Sequence, residues 1–246
     1  MDLPEQVEKK KKIYLLVCEG PTDIEIIRGI SNHISEKIGA EIDIRELSPT
    51  KDMTTGNYPS HGWTAVKSWC EKYSLDKGIV IDPALQDWQK KLLQAKQSFR
   101  WDTLIKFSGA DGIILQIDTD IAEEMNHLAF DPVNDDRKAF CESAVNIWLN
   151  EQSAPEEIYY LLSTYSSEVW LLATHEPAIC VNYEDIQDVE DRLISLGYSK
   201  KNIKGKPRLR KEPKLYKNYS EKIIEKIDIV RQRCVECENF CSFLEK

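Results

Sequence analysis

The sequence predicts an α/β fold, with a mostly parallel sheet flanked by helices in three layers. Three observations carry that expectation. Apolar, β-branched runs at IYLLVC (13–18), GIILQID (112–118) and EIYYLLST (157–164) read as buried strands. Amphipathic helical segments alternate with them, as parallel strands require. No internal repeat is present.

The elements follow in order. Gly20-Pro21-Thr22-Asp23 turns the chain out of the first strand, with Thr22 as N-cap and Glu25 three residues on. The helix that follows turns Ile26, Ile27, Ile30 and Ile34 to one side and ends near Gly39. EIDIREL (41–47) alternates apolar and charged residues, the pattern of a half-exposed strand. Residues 48–62 form a polar, turn-rich loop, and 63–73 read as helix. GIVID (78–82) is either a short strand or a connection, and 83–99 is a helix opened by Pro83. Helices are also expected over 135–151, 167–175 and 183–196. A basic loop and a C-terminal helix from Ser220 complete the chain.

At 246 residues, with 41% apolar and 30% charged content, the chain can bury a substantial core. No apolar run reaches the roughly 18 residues of a membrane span. The basic N-terminus leads into polar sequence without a cleavage site, so a cytoplasmic protein without a membrane partner is expected. Seven scattered cysteines fit reduced packing residues. Only Cys234, Cys237 and Cys241 cluster. They lack a nearby fourth ligand and share one helix face with Ile227 and Val230, which favours packing over a metal site. Net charge is −9, against a generic nucleic-acid coat. The distribution is uneven: residues 118–136 hold seven acids and no Lys or Arg, whereas 200–217 hold nine bases and one acid.

Two strands end in carboxylates. The first delivers Glu19, with Asp23 on the next turn; the second delivers Asp118 and Asp120. Sites in open α/β sheets lie beyond the carboxyl ends of the strands, so parallel neighbours would bring these acids together. Hard oxygen ligands of this kind suit Mg²⁺ or Mn²⁺. Without a cation, the acids would repel one another and titrate high.

These motifs, "VCEGPTD" and "LQIDTD", resemble the Toprim (topoisomerase–primase) family, in which a strand ending in E-G is followed later by a strand ending in D-x-D. The resemblance spans residues 12 to 175 and implies a Toprim-like (Rossmann-like) domain over 1–199. Nearly a hundred residues separate the motifs, which places an insertion at about 48–110. Residues 200–246 would then be a basic loop and C-terminal helix packing on the same domain. The resemblance also implies roles: Glu19, Asp118 and Asp120 in metal-dependent phosphodiester chemistry, and Asp23 as the second acid of the first motif, as in the overcoming-lysogenisation-defect nucleases. "LLSTYSSEVWLLATHEP" looks like a segment of small stand-alone Toprim proteins from bacterial defence loci, where Glu168 would add a ligand; a helix N-terminal acid favoured by the dipole is the alternative. Glu123 and Glu124 follow the D-x-D closely, and at least one is expected to be solvated.

The basic segment supplies Lys206, Arg208, Arg210, Lys214 and Lys217 as candidates for phosphate neutralisation, with Lys214 and Lys217 favoured to reach the site. Among His33, His61, His127 and His175, only His127 lies near a motif. The expected function is a Toprim-type nuclease acting on DNA or RNA, an anti-phage effector with a possible ABC-type or AAA-type ATPase partner and possible homo-oligomerisation. The alternative is a non-catalytic Toprim-fold binding or regulatory subunit. A primase or topoisomerase would need companion domains for which this length leaves little room.

Overall fold

Four parallel strands form the centre of the computed structural model, which describes residues 11–74, 82–125 and 129–246. They are β1 (Lys11–Val17), β2 (Glu41–Ser48), β3 (Gly112–Asp118) and β4 (Ile158–Ser163). Their order is β2-β1-β3-β4, every neighbouring pair parallel. β1 therefore has β2 on one side and β3 on the other, which makes the β1–β3 junction the topological switch point of the sheet.

Alternation along the strands divides the core into two layers. Tyr14, Leu16, Ile114 and Leu161 face one side, with Ile26, Ile27, Ile30 and Ile34 of α1 (Pro21–Ile38). Leu15, Val17, Ile113, Leu115 and Ile117 face the other. There they meet α2 (Trp63–Lys72), Trp101 of α4 (Trp101–Ser108) and α5 (Arg137–Leu149). A sheet apolar on both faces must be covered on both, and the two helical layers do so. No described helix is long and apolar enough to cross a membrane.

Several boundaries differ from expectation. Pro21 already occupies the first turn of α1, so its N-cap is Gly20 rather than Thr22. Asp82 accepts a hydrogen bond from the Ala84 N–H (2.8 Å), holding Pro83 in a turn. Helix α3 (Asp87–Ser98) starts four residues after that proline, behind a reciprocal Gln86–Gln89 capping box. Helix α4 was not anticipated, and most of GIVID, residues 78–81, lies outside the described residues.

The acidic helix shortens to α7 (Val189–Ser195), after a short α6 (Glu168–Leu172). The basic segment is not a loop. It forms an antiparallel hairpin, β5 (Lys200–Ile203) and β6 (Lys206–Leu209), through Lys204 and Gly205, both with φ positive (50° and 78°). That backbone matches the tight two-residue turn whose twist suits paired strands. The single C-terminal helix becomes three: α8 (Pro213–Glu225), α9 (Ile227–Arg233) and α10 (Val235–Glu245). Breaks at Lys226 and Cys234 bend the chain so that each piece returns its apolar stripe to the core. Cys234, Cys237 and Cys241 are buried there as free thiols.

Helices α1 and α8 touch at Gly29. A Cβ there would lie 2.7 Å from Ser220 Oγ and 2.8 Å from Ser220 Cβ. Gly29→Ala should therefore push the helices apart and lower stability by about 1–3 kcal/mol. Thermal denaturation will show it, and adding Ser220→Gly should recover part of the loss. An unchanged melting temperature in Gly29→Ala would contradict this packing.

Candidate active site

The acids of the first and second motifs meet at the ends of β1 and β3. The backbone N–H of Asp118 donates to Glu19 Oε1 (2.8 Å), and Gln116 holds the same junction from below. Its Oε1 accepts from the Glu19 N–H (3.1 Å) while its Nε2 donates to Asp118 Oδ1 (2.9 Å). Gln116 is the polar exception in a strand otherwise apolar until Asp118, and every residue of that strand is buried. A buried amide needs partners on both ends, and here both are site residues.

The remaining acids arrive from helix starts. Asp23 lies in the first turn of α1 and Glu168 opens α6. Ser167 ties the first of these to the β3 end: its Oγ donates to Asp23 Oδ1 (2.8 Å) and its N–H to Asp118 Oδ1 (3.2 Å). Gly20 has an extended backbone (φ −152°) that any residue could adopt, so its fit here is a matter of closeness to Asp23. A Cβ there would stand 3.3 Å from Asp23 Oδ2. Glu168, only 2% exposed, accepts from the Tyr216 hydroxyl (2.5 Å) and pairs with Lys211 Nζ (2.9 Å), both at Oε1. Its Oε2 is buried and without a hydrogen-bond partner.

Burial dominates the electrostatics. It raises Glu19 to about 8, with help from Asp23 and Asp120 and against the Asp118 N–H. Burial and then Glu168 raise Asp23 to about 6. Asp118 is pushed well up by burial, Asp23 and Glu19. Asp120 also rises to about 6: burial of its carboxyl end outweighs Lys211, although the residue as a whole is exposed. Glu168 is the exception. Burial alone would raise it, yet Lys211 and Tyr216 hold it at about 2.

A cleft of about 420 Å³ opens over this floor, lined among others by Glu19, Asp23, His61, Asp118 and Arg208. A smaller one of about 160 Å³ adjoins it, lined by Asp120 and Tyr165, and the two share Glu190, Arg208 and Lys211. Glu19, Asp23, Asp118 and Glu168 are thus gathered, and Asp120 opens onto the neighbouring cleft. Glu123 pairs with Arg137, and Glu124 accepts from Trp63 Nε1 (3.0 Å); both are exposed.

The favoured lysines do not reach the site. Lys214 is exposed on α8, and Lys217 lines a groove between α1 and α8. Arg210 pairs with Glu212 (2.7 Å), and Lys206 is exposed on the hairpin, leaving Arg208 as the one candidate base that lines the cleft. Lys211 was missed because nothing distinguishes it among nine bases. His127 lies outside the described residues, and His61 lines the cleft instead.

Among the described residues, no three His, Cys, Asp or Glu side chains are assembled as a metal cage. The donor chemistry nevertheless fits a hard divalent ion. Several carboxylates share a buried floor, their charge is only partly offset by Lys211, and Glu168 Oε2 lacks a partner. No family model, no curated protein and no solved structure matches the chain.

The acids make stability depend on pH. Between 4.5 and about 8, folded protein holds a proton on Glu19 that unfolded chain has released, so this contribution falls as pH rises through that window. Asp23 and Asp120 act likewise between 3.8 and about 6. Glu168 works oppositely, adding stability above 4.5 that is lost as pH falls towards about 2. With chelator present, the melting temperature of Glu19→Gln relative to wild type should rise from about pH 5 to about pH 8. A constant difference would show that Glu19 titrates normally.

Proposed function

We propose that the chain is a Toprim-type, divalent-metal-dependent nuclease that hydrolyses nucleic-acid phosphodiester bonds. The observation that carries this reading is the reciprocal junction of Glu19 and Asp118 at the switch point, with Asp23 and Glu168 around it. Glu19, Asp23, Asp118, Asp120 and Glu168 are the residues that would hold Mg²⁺ or Mn²⁺. A bound ion supplies Lewis-acid stabilisation of phosphoryl oxygens and an activated water.

The chain's own groups do the rest. Glu19 Oε1 is fixed by the Asp118 amide, which leaves Oε2 to accept a proton from the attacking water. Lys211 and Arg208, which both line the cleft, neutralise phosphate oxygens. Ser167 and Gln116 keep the acids in register. The resemblance to stand-alone Toprim proteins of defence loci extends the proposal to an anti-phage effector. It also suggests a separate ATPase as partner.

One observation supports the second reading, a non-catalytic regulatory subunit. The Lys211–Glu168 ion pair already provides the floor with a fixed positive charge.

Purified protein with Mg²⁺ or Mn²⁺ should cleave labelled DNA or RNA, and Asp118→Ala with Asp120→Ala should lower the rate by about 10²-fold or more. Glu168→Gln should weaken Mn²⁺ binding by about 10-fold or more in a titration. Identical behaviour of wild type and the double variant across metals and substrates would remove the nuclease reading. Activity that appears only with an ATPase added would support a restrained effector.

A further inference from the structure

The β5–β6 ribbon forms one wall of the acid cleft, and its two faces differ. Cross-strand partners share a face, so Lys201, Arg208, Ile203 and Lys206 lie on one side. Lys200, Leu209, Asn202 and Pro207 lie on the other. On the second side Leu209 is buried, and it is the one buried residue of the ribbon. On the first side Lys201, Ile203 and Arg208 line the cleft, and Leu209 borders it from the second. The opposite wall is the start of α1, from Gly20 to Asp23, with His61 and Gly62 beside it.

Charge explains three of the four cleft-face residues but not Ile203. It is 44% exposed on a face otherwise basic. A phosphate offers nothing to an aliphatic side chain, whereas the face of an unstacked base does. In a duplex those faces are covered by neighbouring base pairs, and a protein meets only edges and backbone. The cleft volume, about 420 Å³, is also of the size that encloses one small molecule, within the range of about 300–1,000 Å³ for ligand pockets. That suits one nucleotide unit between two walls.

We propose that the cleft takes single-stranded nucleic acid, threaded between the ribbon and the start of α1. Lys201, Lys206 and Arg208 track its backbone and Ile203 packs on an unpaired base above the acid floor. This rests on the nuclease reading for the chemistry at the floor, but the path of the strand is tested separately.

The test uses full-length Glu19→Gln with Ca²⁺ and fluorescence anisotropy. The probes are a labelled single-stranded DNA, an RNA of the same sequence and the matching DNA duplex. At least one single strand should bind about 10-fold or more tightly than the duplex. Removing Lys201, Lys206 and Arg208 together (each →Ala) should reduce the salt dependence by about 2, at about 0.7 per phosphate contact on a single strand. Ile203→Ala should weaken single-strand binding several-fold with the salt slope unchanged, and Ile203→Phe should restore it. The mutated positions are exposed, and melting temperatures will confirm that the variants fold.

Duplex binding as tight as single-strand binding, or a neutral Ile203→Ala, would overturn the inference. Wild-type duplex cleavage that depends on Asp118 would then leave the nuclease reading standing. Single-strand binding with the expected variant effects, but no cleavage by wild type with Mg²⁺ or Mn²⁺, would uphold the strand path and remove the nuclease. No binding of any probe would remove both.

Discussion

The side-chain amide of Gln116 is the interaction on which the site depends. It joins the backbone of one strand end to the carboxylate of its neighbour, while Asp118 returns a backbone hydrogen bond to Glu19. Two buried carboxylates side by side repel each other, and an isolated loop would let them swing apart. Here Glu19 is held by the Asp118 N–H and Asp118 by Gln116 and the Ser167 N–H, so the sheet and the start of α6 together absorb the repulsion. The requirement reaches upstream into topology. Only a fold with β1 and β3 as parallel neighbours can form this junction, and a one-residue slip in register would turn Asp118 to the opposite helical layer.

The second constraint is charge balance. The floor gathers acids from four places in the chain, and one of them, Glu168, is paired with a half-exposed lysine, Lys211. Lys211 enters from the segment between the ribbon and α8, and Tyr216 on α8 donates to the same carboxylate oxygen. The C-terminal helices therefore do more than cover the sheet. Their packing along α1 sets where positive charge meets the acids, and Glu168 alone remains a low-titrating carboxylate as a result.

Much of this was legible in the sequence, for identifiable reasons. Strands β1, β3 and β4 announced themselves as apolar runs and β2 by its alternation, and the parallel sheet followed from the helices between them. Glu19 and Asp118 stood out at the ends of strong strands, and Asp23 at the start of the helix after the first. What escaped were residues whose importance comes from three-dimensional partners. Gln116 carried a readable signal, as an amide in an apolar strand, whereas Ser167 and Lys211 carried none. The ribbon was misread as a loop because its strands are too short and too charged to show alternation, and its turn rests on a positive φ at Lys204 as well as Gly205. The kinked C-terminal helix was invisible because the breaks at Lys226 and Cys234 involve neither glycine nor proline.

The ribbon buries one side chain, Leu209, and pairs Arg208 with Glu190 of α7 (3.5 Å), while its residues other than Leu209 are exposed. Its sequence is therefore almost uncoupled from the folding of the core, since changes at exposed positions cost little stability. Glu19, Asp23, Asp118 and Glu168 beneath it have less freedom, because each is buried or half-buried and hydrogen-bonded to a neighbour in the site. On the proposed function, recognition and chemistry would fall to parts of the chain under very different tolerance to change. The ribbon wall could then diversify while the acid floor stays constant, and new specificities would arise without renegotiating the fold.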